Sequence, residues 1–217
     1  NLTFNAGTSL LKLTGSNAVL SSGSLAYYDV HFTNPTGAGV LADGTYHDIV
    51  FANIASYGNS SFNNVIIGGN GTIGGSCTYN NLSLAAGKTY TFNNSTTQTF
   101  NGTLLADGTC SAPTEIYCTN GFATFSKVSG TVTENYIRLK NIYATGGANF
   151  IANNVTDFGG NTGWTLNQSS SQTLYWIGNT GNWSDASHWS TTSGGVSSNC
   201  IPTIYSNVVF DANSFTG

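Results

Sequence analysis

Phe62-Asn63-Asn64-Val65-Ile66-Ile67 returns seventeen residues later as Tyr79-Asn80-Asn81-Leu82-Ser83-Leu84, so the stretch from Phe62 to Leu84 writes one phrase twice. Upstream the phrase stands as Tyr46-His47-Asp48-Ile49-Val50-Phe51 and as Tyr27-Tyr28-Asp29-Val30-His31-Phe32. Each copy reads aromatic, polar, Asn or Asp, aliphatic, variable, apolar. Phe100-Asn101-Gly102-Thr103-Leu104-Leu105 is a weaker copy, and Asn1-Leu2-Thr3-Phe4 has the form of the tail of an earlier one. Self-similarity at a short fixed period is the signature of stacked structural units.

The phrase is too short for a helix, and its apolar fourth and sixth positions flank a variable one, the alternation of a strand with one buried face. Gly68-Gly69-Asn70-Gly71 and Gly74-Gly75-Ser76 supply corner residues between copies. Antiparallel hairpins or a parallel β-helix would both use such corners, and the identity of the repeated residues decides between them. In a parallel coil like stacks on like at about 4.8 Å. Asp29, Asp48, Asn64 and Asn81 then form a ladder at one corner, with both Asn side chains buried and paired, and Tyr27, Tyr46, Phe62 and Tyr79 form an aromatic stack beside it. Hairpins give no reason for such identity. The expected fold is all-β: a right-handed parallel β-helix over residues 1–166, with Val65, Ile67, Leu82 and Leu84 inside. Eight or nine coils would make a rod of about 40 Å. A polar linker follows at 167–173, then a Trp-rich β junction at 174–217.

Only 6% of the residues are charged, against about 25% in ordinary domains; polarity comes from amides and hydroxyls. A net charge of −4 with five Lys and Arg (Lys12, Lys88, Lys127, Arg138, Lys140) leaves little to neutralise a phosphate backbone, which argues against nucleic acid. No apolar run approaches the roughly 18 residues of a membrane span. No signal peptide opens the chain, and a secreted-looking composition without one reads as a piece of a longer protein.

Three of the four Trp fall in Tyr175-Trp176-Ile177-Gly178-Asn179-Thr180-Gly181-Asn182-Trp183-Ser184-Asp185-Ala186-Ser187-His188-Trp189-Ser190. With Gly194-Gly195, Pro202-Thr203 and Asn207-Val208-Val209-Phe210-Asp211-Ala212-Asn213-Ser214-Phe215, this segment resembles the repeat opening of the giant gliding-motility adhesins of Bacteroidota. Gly159-Gly160-Asn161-Thr162-Gly163-Trp164 resembles the repeat closing of the same proteins. The resemblance is dense over 145–215 and loose before residue 60. It implies a repeat of a surface filament exported by the type IX secretion system and held outside the outer membrane. Its partners would be adjacent repeats of the same chain, the secretion and gliding machinery, and an external surface or polysaccharide. It implies no catalytic residue.

The residues themselves offer little chemistry. Cys77, Cys110, Cys118 and Cys200 lack metal-ligand spacing. Cys110 and Cys118 flank the turn-like Ser111-Ala112-Pro113-Thr114, so a local disulfide between them is expected in an oxidising exterior, with Cys77–Cys110 the competing pairing. His31, His47 and His188 stand apart from any nucleophile setting. Cleavage of polysaccharides, the enzymatic use of β-helices, needs clustered carboxylates, whereas Asp43, Asp107, Glu115, Glu134, Asp157, Asp185 and Asp211 are scattered. Asp29 and Asp48, on neighbouring coils, offer a seat for Ca2+, though two carboxylates are few ligands for a hard cation. No other cofactor is expected. Trp176, Trp183 and Trp189 could stack on sugars or could cap the open coil end as a small core. The functional expectation is a non-catalytic structural repeat of a surface adhesin. The alternative is a polysaccharide-binding or polysaccharide-cleaving module, which an acid cluster on one coil face or a Trp-lined groove would favour.

Overall fold

The computed structural model describes residues 7–21 and 27–215; the strand expected at Leu2-Thr3-Phe4 lies outside them. Leu10–Leu13, Tyr27–Phe32, Gly44–Phe51, Ser60–Ile67, Cys77–Leu84, Thr97–Phe100, Ala123–Ser126 and Ile142–Thr145 line up in chain order as one sheet. Between successive members the chain crosses to a second sheet built from Ala18–Leu20, Ala38–Leu41, Ile54–Tyr57, Gly71–Ile73, Thr89–Phe92, Thr114–Cys118, Ile137–Lys140 and the end of Asn149–Asp157. All these pairings are parallel, as the repeated phrase requires, so the chain is a parallel β-helix.

The long strands bend at His47, Asn63 and Asn80, which have no Cα partner in the ladder, and their second halves make a third face. In the following coil the halves are separate: Thr97–Phe100 extends 77–79 and Leu104–Leu105 extends 82–83. The third face continues through Thr131–Asn135, the start of Asn149–Asp157 and Trp164–Gln168. At the corner between the first and third faces the weak copy carries Gly102, because a Cβ there would collide with the carbonyl oxygen of Asn80. The departure of this copy from the phrase is steric.

Alternation fills the interior. Val65, Ile67, Leu82 and Leu84 are buried, and so are Phe51, Phe92, Phe100, Phe125 and Phe150; each such side chain contributes about 1.5–3 kcal/mol. The phrase aromatics stack along the axis, with ring centroids 5.7 Å apart for Tyr46 and Phe62, 5.5 Å for Phe62 and Tyr79, and 5.7 Å for Tyr79 and Phe100. Two buried tyrosine hydroxyls are satisfied in a chain: Tyr57 and Tyr79 share a bond of 3.1 Å, Tyr79 donates to Gln98 Oε1 at 3.0 Å, and Gln98 Nε2 donates to Gly75 O at 2.9 Å. Burial pushes the Tyr79 phenol well above its ordinary range, so the network stays protonated. Trp164, in the repeat-closing phrase, lies against Phe150 and Phe125 at the last coil.

The tail forms a separate three-stranded sheet in which Thr173–Trp176 pairs antiparallel with Trp189–Ser190 and parallel with Asn207–Val209. Leu174, Trp176 and Trp189 are its core. The tail turns back along the coils: Cys200 is disulfide-bonded to Cys110, and Ile201 N–H donates to Cys110 O at 3.1 Å.

The expected Cys110–Cys118 bond is therefore corrected, as is its competitor Cys77–Cys110, since Cys77 and Cys118 are free and buried. The reason is strand alternation. Thr114, Ile116 and Cys118 share the inward side of their strand while Cys110 sits in the turn outside, so the two sulfurs lie on opposite sides of the sheet.

Candidate functional site

The corner ladder forms in register: Asp29 opposite Asp48, Asp48 opposite Asn64, Asn64 opposite Asn81. Its hydrogen bonds all run one way. Thr103 donates through N–H (3.0 Å) and Oγ1 (2.7 Å) to Asn81 Oδ1; Asn81 Nδ2 donates to Asn64 Oδ1 at 2.7 Å, and Asn64 Nδ2 to Asp48 Oδ1 at 2.7 Å. A second line runs outside it, from Asn80 Nδ2 to Asn63 Oδ1 (3.2 Å) and from Asn63 Nδ2 to Asp48 Oδ1 (3.0 Å). A column of donating amides needs an acceptor that donates nothing, and a carboxylate is that group. The change from Asn to Asp toward the N-terminal coils thus has a chemical cause.

Asn64 and Asn81 are half-buried rather than buried, because the ladder lies on the outer side of the bend. Water can replace part of what a substitution removes there. Asn81→Leu strands Thr103 N–H and Asn64 Oδ1 and should cost about 1 to 2 kcal/mol, read as a lowered melting temperature; an unchanged one would remove the ladder from the stability account.

Asp29, His47 and Asp48 gather at the acceptor end, with one ligand-type atom from each lying within 4.8 Å of the others. His47 Nδ1 is 2.9 Å from Asp29 Oδ1 and 3.4 Å from Asp48 Oδ1, while Nε2 accepts from Asn63 Nδ2 at 3.3 Å. Tyr28 stacks on the His47 ring at 4.0 Å. One imidazole nitrogen and two carboxylates are a donor set closer to that of a borderline transition metal than to the oxygen cage of Ca2+. A cation would have to compete with the amides of Asn63 and Asn64 that donate to Asp48 Oδ1.

The three tail Trp have different fates. Trp176 and Trp189 are buried, so neither presents a face to a sugar; their indole N–H groups donate to Asn179 O (2.7 Å) and Trp183 O (2.9 Å). His188 stacks on Trp176 at 4.7 Å. Trp183 is 51% exposed and lies edge-on to Trp189 at 4.7 Å.

Trp183 faces the outer side of the second sheet, where side chains form two rows along the axis. Thr89, Glu115, Arg138 and Thr156 are in register, and so are Thr91, Tyr117 and Lys140, with Phe158 just beyond. Arg138 Nη1 pairs with Glu115 Oε1 at 2.8 Å, and Thr89 Oγ1 donates to Glu115 Oε2 at 2.8 Å. None of these residues except Trp183 was marked by sequence reasoning as a contact. The signal was present in Glu115-Ile116-Tyr117 and Ile137-Arg138-Leu139-Lys140, whose alternation turns Glu115, Tyr117, Arg138 and Lys140 outward.

The same alternation turns Glu134 inward beside Val132. Its Oε2 accepts from Ala106 N–H at 2.6 Å, and Oε1 is buried without a hydrogen-bond partner. Burial, with a smaller push from Asp107, raises its carboxyl to about 8, so it is largely protonated at neutral pH. The fold thus brings together two acid pairs distant in sequence, Asp29 with Asp48 and Asp107 with Glu134.

No protein-family model, curated protein or solved structure matches the chain.

Proposed function

We propose that the chain is a non-catalytic spacer of a bacterial surface adhesin of the gliding-motility kind, carrying binding parts away from the cell and transmitting force along its axis. The observation that carries this reading is the in-register stack of parallel strands from Leu10–Leu13 to Trp164–Gln168, over one continuous core. Each coil meets only its neighbours, so length can grow by adding coils without redesigning the interior. The acids that come together support it further: Asp29 and Asp48 accept hydrogen bonds from the ladder and Glu134 points inside, so neither pair presents two free carboxylates to a sugar. A disulfide fits an oxidising exterior. The resemblance of 145–215 to adhesin repeats supplies the type IX export route and the place outside the outer membrane. No helix among the described residues is long and apolar enough to cross a membrane.

The test is removal of this unit from the intact surface protein. Export and attachment should persist while the reach measured by force microscopy shortens by about 40 Å, eight coils at the strand spacing. An unchanged reach, or a polysaccharide-cleaving activity in the purified chain, would overturn the reading.

A further inference from the structure

The flank against which the tail lies combines open aromatic faces with fixed polar groups. Trp183, Pro202 and Ile204 of the tail, with Arg138 and Phe158 of the coils, bound a cavity of about 340 Å³. Phe158 also borders a second of about 280 Å³, with Tyr117 and Lys140. Phe158, which is 44% exposed, lines both, and the two depressions beside the second sheet are taken together as a groove. Its walls are held in place. The carbonyl of Trp183 accepts from the Trp189 indole, Tyr117 meets Phe158 edge-on at 6.1 Å, and Cys200 anchors the adjoining tail segment to Cys110.

Among the described residues, Arg138 and Lys140 are the charged side chains lining the two cavities, and Arg138 is paired with Glu115, so Lys140 leaves the flank with one net positive charge in a chain of net charge −4. That local balance points to an anionic occupant. Aromatic faces beside a few directed polar groups suit a ligand that has both an apolar face and hydrogen-bonding edges. A pyranose ring is such a ligand, with its C–H face to the aromatic ring and its hydroxyls to Arg138 and Glu115, which together offer donors and acceptors. Two small cavities that share Phe158 fit a linear chain of rings better than the broad patch of about 800 Å² per partner that a stable protein contact needs.

We propose that this groove binds an acidic polysaccharide, with sugar rings packed on Trp183 and Phe158 and ring carboxylates directed to Lys140. Lys140 supplies a point charge, and the Arg138–Glu115 pair offers hydrogen-bonding edges to the hydroxyls. The site takes carbohydrate whether or not the coils act as a spacer, and its test uses the disulfide-intact chain alone.

Titration calorimetry with an oligogalacturonate, at low and at physiological ionic strength, is the experiment. Binding is expected, weakening as salt rises, with a neutral cello-oligosaccharide of equal length binding about ten-fold more weakly. Trp183→Ala should weaken binding about ten-fold, checked by circular dichroism and an intact disulfide. Lys140→Gln, at an exposed strand position, should weaken the acidic ligand and leave the neutral one unchanged. No binding to the oligogalacturonate, equal affinity for the neutral chain, or an unaltered Trp183→Ala variant would each overturn the proposal. So would Trp183-dependent self-association in size-exclusion chromatography, which would give the groove to a second copy.

Discussion

Glu134→Gln is expected to hold a nearly constant melting temperature between about pH 5 and about pH 8, where the parent chain becomes steadily less stable. The carboxyl is 1% exposed and is raised from 4.5 to about 8, chiefly because burial disfavours its charged form. Below the ordinary value both folded and unfolded chains hold the proton, and stability does not depend on pH. Between 4.5 and about 8 the unfolded chain gives up a proton that the folded chain keeps, so each pH unit shifts the balance toward unfolding by about 1.4 kcal/mol. Above the folded value both forms are ionised and the loss levels off at about 5 kcal/mol below the acid limit. The Gln variant has no proton to lose. Urea titrations of both proteins across this range would show the divergence, and parallel curves would mean that Glu134 is ionised in the fold at all these pH values.

Reducing the Cys110–Cys200 bond, or replacing Cys200 by Ser, should lower stability by about 4 to 5 kcal/mol, the loop-closure entropy expected for a bridge spanning 90 residues. The loss should be felt in two places. The tail core of Leu174, Trp176 and Trp189 is small and should lose protection first, seen as a red shift in Trp fluorescence. The coils bordering the tail, 113–118 and 136–140, should follow at lower denaturant than in the oxidised chain. Cys110→Ser should match Cys200→Ser, and the double variant should add nothing to either. Cys77→Ser and Cys118→Ser bear on core packing alone. Identical unfolding curves for the oxidised and reduced chains would show that the bond contributes nothing.

The coils were legible because their information is local and repeated. The phrase that runs from Tyr27 to Leu84 names its inward residues, its bend and its stacking partner in six letters, and parallel stacking turns identity into contact. The burial of Glu134 and Cys118 was written in the same alternation, and applying it residue by residue would have ruled out a Cys110–Cys118 bridge. The half-burial of Asn64 and Asn81 depends on which side of the bend the ladder takes, which an alternating pattern does not encode at a corner. The Cys110–Cys200 bond was not legible. It depends on the tail turning back along the coils, and no repeat links residue 200 to residue 110. The Trp183 end of the groove shares that origin, since Arg138 and Phe158 acquire an opposite wall only when Trp183 and Pro202 arrive beside them.

The bridge also changes how the chain answers a mechanical pull. When the chain is pulled from its two ends, tension entering near residue 200 passes through the sulfur atoms to Cys110 and on toward the N-terminal coils. The intervening residues 111–199 stand outside that route. Roughly 300 Å of contour length, at about 3.3 Å per residue, is thereby withheld from extension while the bond lasts. The later coils, including the flank that carries Arg138, Lys140 and Phe158, keep their shape under a pull that unravels the earlier ones. Whatever is held on that flank is held by a part of the chain outside the loaded route.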